Sequence, residues 1–236
     1  MAPDAFLSEI QGAGPIDLIR RQYRTVQKSA RIELEEKKSR FIAACRPVGT
    51  EAEAQAFLSS ERGAYPDASH HVYAWITGGV YSHQRYSDDG EPQGTAGMPV
   101  LDVLRYQELE QVAVVVTRYF GGTLLGTGGL SRAYGQAAVQ AVEAARPVLM
   151  RLCREYQVTA SYTDHERLSR AWLQAGWRCS GAVFGIDVDI KVQVPLESDD
   201  AFRQLCADLT GGAALIEPQR QVYLPLPPPD PPPARA

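Results

Sequence analysis

The segment Val112–Val116 reads VAVVV, five apolar residues in succession. Side chains on a β-strand alternate between two faces. A strand apolar at every position must therefore be buried on both, which predicts an interior strand with other layers above and below it. The chain continues through TRYFGGTLLGTGGLSRAYGQAA, Thr117–Ala138. Its glycines lead into a helix expected from about Gly128 to Ala145. Leu130, Tyr134, Ala137, Ala138, Ala141 and Ala145 share one face of that helix. So narrow a face lets a helix sit close on a sheet.

The flanking sequence supplies more elements. SARIELEEKKSRFIAACRPV predicts two strands joined by a charged turn at Glu35–Lys38. TEAEAQAFLSSERGA predicts a helix with Thr50 as N-cap and Glu53 three residues on, a capping-box spacing. HHVYAWITG and VYSHQRYS predict a strand pair around Gly78 and Gly79. DDGEPQGTAGMP is a loop, after which Pro99 is expected to open a helix, as proline suits a first helical position.

After Arg146 and Pro147 the order becomes strand (Leu149–Ser161), helix (Asp164–Ala175), two strands around Gly185, helix (Ser198–Leu209), strand. This βαββαβ succession is the split ferredoxin-like pattern. The fold class is α+β with two domains. Residues 1–18 are read as a flexible leader, 19–146 as the first domain, 147–225 as the second and 226–236 as a proline-rich disordered tail. Proline lacks the N–H that a ladder or helix interior needs, so LPLPPPDPPPARA is expected to be a solvated polyproline segment.

A net charge of −4 over 236 residues provides no global field to draw in a phosphate backbone. Nucleic-acid contact would need a local patch. Four scattered cysteines without a CxxC pair argue against zinc and for reduced thiols. No segment reads as a signal peptide or a membrane span. The chain is expected to be cytoplasmic.

Two readings of the glycine stretch stand side by side. Glycines build tight turns and allow close packing. Exposed N–H groups at a helix start, with the helix dipole, also attract anions, and Arg118 and Arg132 could add charge-assisted contacts to a phosphate. The spacing matches neither GxxxxGK[ST] nor GxGxxG, whose third glycine would fall at Ser131. Gly128 and Gly129 sit at the helix start, where a β-branched side chain at Gly128 is expected to crowd the turn.

Asp88, Asp89 and Glu91 crowd one loop. Clustered carboxylates can hold Mg²⁺, or aspartates can bond their own backbone in an acidic turn. His70 and His71 are adjacent on a strand and point to opposite faces, which argues against a shared metal. Lys37, Lys38 and Arg40 with Arg118 and Tyr119 could make a basic and aromatic surface of the kind that binds single-stranded RNA, or a solvated charged face. Nothing identifies a nucleophile. No catalytic residue, metal or cofactor is assigned.

The stretches KSRFIA, SHHVYAW, YSDDGEPQGTAGMPVLDVL and TRYFGGTLLGTGGLSRAYGQAA, in this order, resemble the IMPACT family, including its bacterial YigZ-type members. The resemblance implies a first domain with the fold shared by a small-subunit ribosomal protein (ribosomal-protein-S5-domain-2-like), a domain of elongation factor G and phosphorolytic ribonucleases. It implies a second domain like the ferredoxin-like last domain of elongation factor G. It also implies a regulatory role near translation with RNA or ribosome binding. A metal- or phosphate-dependent hydrolase and a protein-interaction module, with a protein partner for the tail or second domain, are the alternatives. Fold alone does not decide among them.

Overall fold

The computed structural model describes residues 20–78 and 82–225. The expected leader, the proline-rich tail and Gly79 of the hairpin lie outside these residues. The described chain divides into two compact units, residues 23–149 and residues 150–225 with 20–22.

The first unit is built on a five-stranded antiparallel sheet. Its strands are β2 (Ala30–Glu36), β3 (Ser39–Pro47), β4 (His70–Ile76), β5 (Gln84–Ser87) and β6 (Val112–Tyr119), in the order β2-β3-β6-β4-β5. The valine strand is central, as its two-faced apolarity requires. Val112, Val114 and Val116 face α2 (Gly97–Tyr106) and α3 (Gly126–Ala144), while Ala113 and Val115 face α1 (Glu51–Ala64). The small-residue face of α3 is buried as expected, from Leu130 and Tyr134 to Ala141 and Ala145. On the other side Phe57, Leu58 and Ala54 of α1 close over Trp75 and Val48.

Local signals explain most boundaries. Thr50 accepts from the Glu53 N–H, and the Glu53 carboxylate accepts from the N–H groups of Thr50 and Gly49. This capping box satisfies N–H groups left over at the start of α1. The β2–β3 hairpin turns on Lys37 and Lys38 alone, both at positive φ, 46° and 67°. Left-handed geometry at both central residues matches the twist of paired strands. Here two lysines adopt it in place of the favoured asparagine and glycine.

Three expectations change. Helix α2 begins at Gly97, two residues before Pro99, and α3 begins at Gly126 rather than about Gly128. A strand that the periodicity does not announce, β1 (Gln22–Val26), joins the unit through a bridge from Arg24 to Leu109 and bonds from Tyr23 and Thr25 to Gln111.

The second unit contains β7 (Pro147–Ala160), α4 (Tyr162–Gln174), β8 (Arg178–Phe184), β9 (Val188–Pro195), a short 3-10 turn (Leu196–Ser198), α5 (Asp199–Thr210) and β10 (Leu215–Pro225). Strand β10 pairs with β7, β7 with β9, and β9 with β8, all antiparallel. This is the ferredoxin-like order: fourth, first, third, second. Trp172, Leu168, Phe202 and Cys206 of the helices cover Tyr156, Val158, Ile190, Val192 and Val194 of the sheet. Truncating a fully buried aromatic such as Trp172 costs about 3–5 kcal/mol.

Candidate functional site

The basic turn and the glycine stretch form one surface. A Cβ on Gly121 would meet the Lys38 carbonyl oxygen at 2.0 Å, so the backbones touch and only glycine fits there. The buried Ser39 hydroxyl accepts from the Gly121 N–H at 3.3 Å and from Arg118 Nη2 at 3.2 Å. Phe120 is held by its N–H bond to the Ser69 hydroxyl and, with Leu124, projects into solvent. Lys37 and Lys38 are exposed beside it. The start of α3 has no side-chain cap and no acidic residue in its first turn. Its leading N–H groups are therefore not claimed by a protein carboxylate.

Other residues expected at this surface are partly committed. Arg40 forms a two-point bond with Glu33, at 2.6 and 2.9 Å, and lies 5.6 Å from the Tyr119 ring. The bond from Arg40 holds the Glu33 carboxyl below the usual range. Tyr119 donates to Asp67 at 2.8 Å; this bond, then burial and the Asp67 charge, raise its phenol above the ordinary value. Arg132 is exposed on α3. Gly128 and Gly129 lie in its first turn, but a Cβ at Gly128 would meet nothing within 4 Å. The expected crowding at Gly128 is thus corrected: the close approach is at Gly121.

Arg118 requires the larger correction. It does not present its guanidinium at the surface. Nη1 lies 2.5 Å from Glu91 Oε1, and the two side chains are 5% and 4% exposed. Tyr134 donates to the same oxygen at 2.7 Å. The guanidinium carbon is 5.4 Å from the Phe41 ring and 5.5 Å from Phe120. Burial, and then the charge of Glu91 and its bond, push the Tyr134 phenol above its ordinary range. A buried arginine with a carboxylate and two rings is a structural pair.

The acidic loop is likewise occupied by protein donors. Asp88 Oδ1 accepts from the N–H groups of Ala96 and Gly97, and Oδ2 accepts from Gly94. It therefore serves as a remote cap for α2, which explains the early helix start. Asp89 Oδ2 accepts from the His71 N–H and Oδ1 from Arg62. His70 Nδ1–H donates to the Asp89 carbonyl, whereas His71 Nε2 reaches the Tyr65 carbonyl, so the two rings point to opposite faces. Among the described residues no group of three His, Cys, Asp or Glu side chains is arranged to hold a metal. Asp88, Asp89 and Glu91 form the acidic turn, and their oxygens are used in folding.

The first unit, an antiparallel sheet covered by helices on both faces, carries this surface; with the separate ferredoxin-like unit it makes an α+β protein of two units. The Impact N-terminal domain matches residues 37–142. IMPACT family member YvyE of Bacillus subtilis is 34% identical over 202 residues, covering 86% of this chain and 93% of that protein. IMPACT family member YigZ of Escherichia coli is 36% identical over 183 residues, covering 75% and 88%. A solved structure described as that of a hypothetical protein superposes with a TM-score of 0.55 at 31% identity, covering 84% of this chain and 97% of its own. The chain belongs to the IMPACT family. Among the described residues no helix is long and apolar enough to cross a membrane.

Proposed function

We propose that this chain is a cytoplasmic, translation-associated regulatory protein that binds RNA or the ribosome through the surface around Lys37, Lys38 and the start of α3. Family membership supports the translation-related part of this reading. The observation that carries the binding part is the contact of the Lys38 backbone with Gly121. It sets two exposed lysines against the segment that carries the exposed Phe120 ring and leads into the uncapped start of α3. Lysines and backbone N–H groups suit phosphate oxygens, and an exposed ring suits an unstacked base. Arg132, Arg40 and Tyr119 extend the surface. Arg118 makes no contact with the ligand in this reading; it lies buried beneath the surface, paired with Glu91 and 5.5 Å from the Phe120 ring.

Cosedimentation with ribosomes and titration with single-stranded RNA, each at several salt concentrations, test the proposal. The parent chain is expected to bind with an affinity that falls with salt. Lys37→Glu with Lys38→Glu is expected to weaken binding and reduce the salt slope by about 0.7 per lost phosphate contact. Phe120→Ala is expected to weaken binding to single strands by about 1–3 kcal/mol without changing that slope. Absence of binding by the parent chain, or an unchanged affinity in the double lysine variant, refutes it.

A further inference from the structure

Strand β8 is the outer strand of its sheet, bonded to β9 on one side only among the described strands. All seven of its residues are exposed. Exposed strand edges are usually guarded by charge, proline or short length. Strand β2 carries Glu33, Glu35 and Glu36, β5 has four residues, and β10 contains Pro218 and Pro225. By contrast β8, RCSGAVF, has one charge, at its first residue, and no proline. A bulge at Ser180 leaves Gly181–Phe184 in regular register with β9. Val183, Phe184 and Ile186 at this end are 70%, 60% and 98% exposed.

The end of the hairpin is also held in place. The Tyr162 hydroxyl donates to the Gly185 carbonyl at 2.9 Å, and the Phe184 ring packs edge-on against His165 with centroids 5.6 Å apart. A braced edge loses little freedom when it docks.

The geometry points to a second copy of this chain as the occupant, paired antiparallel through β8 about a twofold axis near Ala182. The argument is charge self-complementarity. Arg178 opens the strand and Asp187 follows the hairpin tip. Both are exposed, and neither side chain has a partner among the described residues. Antiparallel pairing about Ala182 lays the Arg178 end of one copy along the Ile186–Asp187 end of the other. The twofold repeats the contact, as an isologous interface must. The same axis sets Val183 opposite Gly181, where a Cβ would meet nothing within 4 Å and where there is room for the valine methyls. The central residue, Ala182, meets only its own small copy. A strand without acids, bearing one base at one end and followed by an acid at the other, suits itself better than it suits a generally acidic or basic partner.

Sedimentation velocity of the full chain across micromolar concentrations tests this. The expected result is a species of twice the 25.9 kDa mass that grows with concentration. Val183→Lys is expected to abolish it by placing a charge on the edge. Arg178→Asp and Asp187→Arg are each expected to weaken association about tenfold, as each reversal acts twice in the dimer, and the double variant is expected to recover it. Circular dichroism checks that every variant stays folded, which their exposure favours. A monomer at all concentrations, a dimer untouched by Val183→Lys, or a double charge swap no better than the single changes overturns the proposal. None of these outcomes depends on RNA or ribosomes.

Discussion

Arg118 on β6 and Glu91 in the loop before α2 form an ion pair at 2.5 Å with both side chains almost wholly buried. Tyr134 from α3 completes it. Three elements that are distant in sequence are thereby tied together beneath the proposed binding surface. Breaking such a pair leaves one charge buried without its counterpart, which costs about 3–5 kcal/mol. Arg118→Ala is expected to lower stability by that amount in urea unfolding, and Glu91→Gln by less, since an amide oxygen still accepts. Tyr134→Phe removes one hydrogen bond to a charged group and is expected to cost about 1.5–3 kcal/mol. An Arg118→Ala protein as stable as the parent would show that the pair contributes nothing.

Gly121→Ala is expected to destabilise the fold by at least about 1–3 kcal/mol, the usual range for overpacking, since the opposing atoms are Lys38 backbone and cannot swing away. Gly97→Ala faces the Ser87 backbone at 2.6 Å and is expected to behave in the same way. Gly128→Ala has open space, and its better helix propensity is expected to stabilise α3 by up to about 1 kcal/mol. Thermal melts of the three proteins should rank Gly128→Ala highest. If Gly121→Ala melts with the parent, the close approach at Lys38 is not a constraint.

Asp88 substitutes for an N-cap from outside the helix. Asp88→Ala leaves the N–H groups of Gly94, Ala96 and Gly97 without their acceptor. The expected loss is about 1–3 kcal/mol, with Asp88→Asn nearer the parent because it can still accept. Hydrogen exchange offers a sharper readout than global stability. Amides of the first turn of α2 should lose protection in Asp88→Ala, while those of α1, which has its own capping box, should not.

Thiol chemistry should distinguish the four cysteines. Burial pushes the Cys45 and Cys153 thiols up to about 12 and Cys206 to about 11; it raises Cys179 as well, but that thiol alone of the four lies exposed, on β8. The thiolate is the reactive form. At pH 8 an aromatic disulfide reagent is expected to label Cys179 first, with the other three reacting only in denaturant. Rapid labelling of more than one thiol in the native protein would contradict the buried placement.

The sequence by itself determined the elements whose signals lie among neighbours along the chain, though not the first residues of α2 and α3. Thr50 and Glu53 are three residues apart and cap α1 without outside help. The unbroken apolar run of β6 required cover on both faces, and the alanine face of α3 required close packing. The βαββαβ succession of the second unit led to its antiparallel sheet, because the order of the elements leaves few arrangements that bury their apolar faces.

The tertiary structure alone decided what the charged and small residues do. Arg118 looked like a surface cation because its neighbours in sequence are polar or lie in a turn. Its real partner, Glu91, stands 27 residues away and reaches it only once β6 and the loop before α2 are in place. Of the two glycines, the one that resists a side chain is Gly121 and not Gly128, because what forbids it is the Lys38 carbonyl in the turn between β2 and β3. Strand β1 was silent because bonds to Gln111, far along the chain, hold it in place. Burial and pairing across the fold depend on which segments meet, and a reading along one chain cannot supply that distance.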